Sequence, residues 1–72
     1  MDYIKPDQIV IGTQFMKPGR APRKCTVTDI YKTYNAAGQL VQTRYVATHE
    51  FMGQIVTERD IPAVTIQRGF IS

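Results

Sequence analysis

Tryptophan is absent from this 72-residue chain, and cysteine and histidine occur once each, as Cys25 and His49. A single cysteine excludes an internal disulfide, and secreted domains of this size usually rest on several. The reducing cytoplasm is therefore the expected location. One cysteine and one histidine also exclude a four-ligand zinc site of the usual kind within one chain. No apolar run approaches the roughly 18 residues of a membrane helix. The opening MDYIKPDQIV has no basic region ahead of an apolar stretch, so no signal peptide is expected.

Catalytic signatures are missing as well. There is no G-x-S-x-G elbow, no glycine-rich phosphate loop, and no Cys–His–acid set legible in the sequence. The carboxylates Asp29, Glu50, Glu58 and Asp60 fall on scattered segments. Neither enzyme activity nor a cofactor nor a metal is expected from that inventory.

The composition that remains is that of a folded domain. Hydrophobic residues make up 43% and charged residues 21%, which argues against disorder. The length allows one domain, and such a domain buries only about 60% of its unfolded surface, so its stability is thin. The net charge of +3 is lopsided. Residues 1–24 hold Lys5, Lys17, Arg20, Arg23 and Lys24 against Asp2 and Asp7, while the remainder is balanced. That asymmetry points towards an acidic partner.

β-Branched and aromatic residues are dense from Cys25 onward, and helical periodicity is weak, so the chain reads as strands. Residues 1–8 read as a loosely held lead-in, 9–68 as the domain and 69–72 as a tail. A first strand is expected at Ile9–Met16, with Ile9, Ile11 and Phe15 on one face and a bulge at Gly12. Lys17–Lys24 then reads as a basic loop carrying Pro18-Gly19 and Pro22. Cys25–Tyr34 and Leu40–Phe51 form a hairpin closed by Asn35-Ala36-Ala37-Gly38, a type I turn with a glycine bulge. That turn pairs Asn35 with Gln39, Thr33 with Val41, Tyr31 with Thr43, Asp29 with Tyr45 and Val27 with Ala47.

One face of this hairpin carries Cys25, Val27, Tyr31, Val41, Tyr45, Ala47 and Phe51, a consistent apolar set. Two features do not fit it: Asp29 falls on the apolar face, and Ile30, Tyr34, Leu40 and Val46 fall on the polar one. These four make a candidate protein-contact patch. In the same register Cys25 and His49 face each other, His49 reading as a half-buried imidazole. Met52-Gly53-Gln54 turns into a short strand at Ile55–Glu58. Asp60-Ile61-Pro62-Ala63 reads as one helical turn, and Val64–Arg68 as a fifth strand.

This order, all-β with five antiparallel strands and a short helical turn before the last, resembles an SH3-like small barrel over Ile9 to Arg68. The resemblance is topological, and small basic proteins of this look are similar to phage and plasmid accessory proteins. From the Ile30/Tyr34/Leu40/Val46 patch or an open sheet edge we expect a non-enzymatic interaction or regulatory module whose partner is a protein or a second copy of the chain. The alternative is a nucleic-acid-binding accessory protein that grips phosphates through Lys17, Arg20, Arg23 and Lys24.

Overall fold

The computed structural model describes residues 4–71. A 3₁₀ turn at Pro6–Gln8 leads into four strands, β1 (Gln14–Lys17), β2 (Arg23–Tyr34), β3 (Leu40–Phe51) and β4 (Gln54–Ile61), and a helix α1 (Ala63–Arg68). The strands form one antiparallel sheet in the order β1-β2-β3-β4. The fold is thus mostly β, but it is an open four-stranded meander and not the expected five-stranded closed barrel.

The hairpin turn forms as its chemistry dictates. Asn35 Oδ1 accepts hydrogen bonds from the backbone N–H groups of Ala37 and Gln39 at 2.9 and 3.0 Å, and Gly38 takes a left-handed φ of 79°. Val27 pairs with Ala47, and the Asn35 N–H donates to the Gln39 carbonyl, both as expected. Between these ends the register is shifted by one. Asp29 lies opposite Val46, Ile30 opposite Tyr45 and Tyr31 opposite Arg44, with irregularities at Val27/Asp29 and Thr33/Tyr34.

The first irregularity puts Thr28 into β2 as an extra residue and the second puts Val41 into β3, so the two slips cancel. Their effect is to invert the faces along the middle of the hairpin. Ile30 turns inward and packs on the core, and Asp29 turns out to solvent. The misfit of Asp29 and Ile30 in an unbroken alternation was the trace of this bulge.

The core comprises Ile4, Ile9, Phe15, Cys25, Val27, Tyr45, Ala47, Ile61 and Ile66. Four of the seven residues of the expected apolar face, Cys25, Val27, Tyr45 and Ala47, are buried; Tyr31, Val41 and Phe51 are exposed. The hairpin is longer than the elements that cover it. Of the expected lead-in, residues 1–3 lie outside the described residues, while Ile4 is buried and its carbonyl accepts from Gln67 Nε2 at 3.1 Å.

Four elements differ from expectation. The basic loop is shorter than Lys17–Lys24, because Lys17 ends β1 while Arg23 and Lys24 open β2 and pair with Lys17 and Met16. β1 starts at Gln14 rather than Ile9, because Gly12 at φ 99° breaks the extended run; Ile9 is buried and Ile11 exposed. β4 continues to Ile61 through a bulge, with Asp60 at φ 58° instead of capping a helix. Val64–Arg68 is helical, not a strand. Pro62 stands at its N-cap and Gly69 at its C-cap, and Ile66 is wholly buried. The last strand-like pairing falls instead on residues 69–71. The Met16 N–H donates to the Gly69 carbonyl at 2.7 Å, the Ile71 N–H to the Gln14 carbonyl at 3.1 Å, and Phe70 bridges to Phe15. This covers the outer edge of β1.

Candidate functional site

Pairing across the sheet decides which side chains meet. Phe15 lies opposite Cys25, Lys17 opposite Arg23, His49 opposite Val56 and Ala47 opposite Glu58. Since paired residues share a face, Lys17, Arg23, Cys25, His49, Phe51 and Glu58 all stand on the face that carries the core. They occupy its end, next to the loop between β1 and β2.

There Cys25 Sγ lies 3.8 Å from His49 Nδ1, and Glu58 Oε2 lies 3.6 Å from the same nitrogen. The three donor atoms are all within 4.8 Å of one another. Cys25 is fully buried and His49 is 6% exposed, so the imidazole is a core residue rather than half-buried. Glu58 Oε1 is ion-paired with Lys17 Nζ, whereas its buried Oε2 has no hydrogen-bond partner among the described residues. On the other side of the ring, Arg23 Nη1 is 3.3 Å from His49 Nε2, and the Arg23 guanidinium sits 4.0 Å from the centroid of Phe51, a cation–π contact.

A cleft of about 300 Å³ opens here, lined by Lys17, Pro18, Arg20, Ala21, Arg23, His49 and Glu58. Three of the four expected phosphate-contact residues, Lys17, Arg20 and Arg23, therefore meet at one site. Lys24 does not, because it is paired with Met16 and points to the opposite face.

Burial, and secondarily the Glu58 charge, push the Cys25 thiol above its ordinary pKa, against the smaller pull of Lys17 and Arg23. A thiol so placed is protonated at neutral pH and a poor free nucleophile. Cys25 and Glu58 also face the same nitrogen of His49. A relay needs one on each, so this is not the layout of a nucleophilic triad.

The candidate contact patch is divided. Val46 is buried apart from the core cluster, and Ile30 is partly buried against that cluster. Tyr34 and Leu40 are 57% and 52% exposed at the far end of the hairpin. Leu40 and Ile30 instead help line a second groove of about 280 Å³, together with Pro6, Asp7, Ile9, Lys32, Thr43, Tyr45 and Ala63. Asp29, expected beside Tyr45, lies opposite Val46.

Glu58 is the member of this cluster that sequence reasoning missed. Only the β3–β4 register brings it to His49, and the signal was limited to its alternation with Val56 on the strand that directly follows the Met52-Gly53 turn. No protein-family model, curated protein or solved structure matches the chain. Among the described residues, no helix is long and apolar enough to cross a membrane.

Proposed function

We propose that the chain is a non-enzymatic protein-interaction module that docks its partner in the groove between the outer half of the β2–β3 hairpin and the Pro6–Ile9 segment. The observation that carries this reading is the overhang of the hairpin. β2 and β3 are twelve residues each, yet the core cluster reaches only to Ile30 and Tyr45. Beyond them the sheet leaves Leu40 and its cross-strand partner Tyr34 in solvent, and Leu40 lines a mostly apolar groove. Water contact there is costly by about 25 cal/mol per Å² of apolar surface, and a partner side chain relieves it. Lys32 and Asp7 at the rim supply charges that orient the partner. A second copy of the chain is the other occupant of the same chemistry.

The test is Leu40→Asp and Tyr34→Ser, read by capture of partners and by sedimentation of the purified protein. Loss of a partner or of the dimer by about tenfold in affinity, with circular dichroism unchanged, supports the reading. Unaltered capture and unaltered mass refute it.

A nucleic-acid reading ranks second, on the convergence of Lys17, Arg20 and Arg23. Glu58 offsets the Lys17 charge and Lys24 faces away, which leaves a weaker field than the sequence count suggests. It requires binding that falls steeply with salt and falls further in Arg20→Ala. The meander likeness to SH3-like barrels contributes nothing to either reading, since fold does not select function. A reduced, buried cysteine suits the cytoplasm, which we take as the working location.

A further inference from the structure

We propose that Cys25, His49 and Glu58 form a three-ligand site for a zinc-type divalent ion, open to solvent on its fourth side. The three donors are a sulfur, an imidazole nitrogen and a carboxylate oxygen, a set that favours Zn²⁺ over the hard cations. A tetrahedral ion with Zn–S near 2.3 Å and Zn–N or Zn–O near 2.0–2.1 Å separates its donors by about 3.3–3.6 Å. Here Sγ to Nδ1 is 3.8 Å and Nδ1 to Oε2 is 3.6 Å. The third separation, Sγ to the carboxylate oxygen, is within 4.8 Å, so side-chain movements of about an ångström close the site.

Two observations apart from the donor set point to a ligand. Glu58 Oε2 is buried and has no hydrogen-bond partner among the described residues, which is costly for an ionised oxygen with nothing bound to it. Its companion Oε1 is held by Lys17, so the carboxylate is oriented with Oε2 directed at Nδ1 and Sγ. A metal-ligating carboxylate is commonly fixed by a second partner in this way.

The cleft lined by Lys17, Pro18, Arg20, Ala21 and Arg23 gives the ion its way in and room for a water as fourth ligand. Binding replaces the Cys25 S–H bond with S–Zn and releases that proton to solvent. His49 binds through the unprotonated Nδ1 and so carries its proton on Nε2. Since Arg23 Nη1, itself a donor, lies 3.3 Å from Nε2, the guanidinium must turn away when the ion enters. Metal at the base of the cleft thereby frees Arg23 at its mouth.

The experiment is a titration of the metal-free, reduced 72-residue chain with Co²⁺, followed by displacement with Zn²⁺. The expected result is one Co²⁺ per chain, with intense visible bands of tetrahedral coordination and a near-ultraviolet thiolate-to-metal absorption that Zn²⁺ removes. Cys25→Ser abolishes the near-ultraviolet band, and the near-isosteric Glu58→Gln, at a partly buried position outside the apolar core, weakens affinity by about tenfold or more. A wild-type protein that stays colourless under excess Co²⁺ overturns the proposal. So does a Glu58→Gln variant that binds with unchanged spectrum and affinity. Should Cys25→Ser fail to fold, those two measurements still decide.

Discussion

Residues 64 and 66 separate the two conformations that the end of this chain can take. In a strand, positions two apart share a face; in a helix they lie about 200° apart. In α1, Ile66 is fully buried and Val64 is 46% exposed. Ile66→Ala removes a buried side chain packed over the sheet, and such truncations cost about 2–5 kcal/mol, the upper half where the site cannot collapse. Taking about 3 kcal/mol, and a stability of about 3–5 kcal/mol for a domain this small, the variant stands at the edge of folding. With a urea dependence of about 1 kcal/mol/M, the unfolding midpoint drops by about 3 M. Val64→Ala loses little buried surface and gains helix propensity, so its midpoint stays within about 0.5 M. The assay is urea unfolding followed by circular dichroism on both variants, with Ile66→Val as the milder change if Ile66→Ala does not fold. Equal losses from Val64→Ala and Ile66→Ala would refute the helix and restore a strand there.

Two further outcomes follow from the packing. A Cβ on Gly69 would overlap the Met16 carbonyl, so Gly69→Ala displaces the segment that covers β1. It should lower the melting temperature by about 4–8 °C per kcal/mol of a loss near 1–3 kcal/mol, and an unchanged melt counts against that edge pairing. Burial raises the Tyr45 phenol above its ordinary value of 10.0. Below that pH both states are protonated and nothing is lost; above it the unfolded chain gives up a proton that the folded chain keeps, so stability falls as pH rises. Tyr45→Phe should flatten this alkaline loss in unfolding measured between neutral pH and pH of about 11, and an identical fall in both proteins would contradict it.

What the sequence by itself determined is whatever depends on neighbours within a few residues. The Asn35–Gly38 turn is local: one side-chain oxygen takes two nearby amides, and one glycine adopts a left-handed φ. That turn and the Val27–Ala47 pairing were legible without coordinates. So was the meeting of Lys17, Arg20 and Arg23, which are close in sequence, although it is the β1–β2 pairing of Lys17 with Arg23 that holds two of them together. The tertiary structure decided the rest, because burial is shared between segments far apart in the chain. Residues 63–68 have β-branched side chains suited to a strand, yet packing Ile66 into the core from the side of β1 and β3 favours one helical turn and a half. The bulge at Thr28 exists because it buries Ile30 and releases Asp29, a gain that no local rule registers. Glu58 reaches His49 through the β3–β4 register and Lys17 through all three strand pairings, 41 positions away in sequence. The site therefore rests on long-range pairing, where sequence neighbours carry no information about contact.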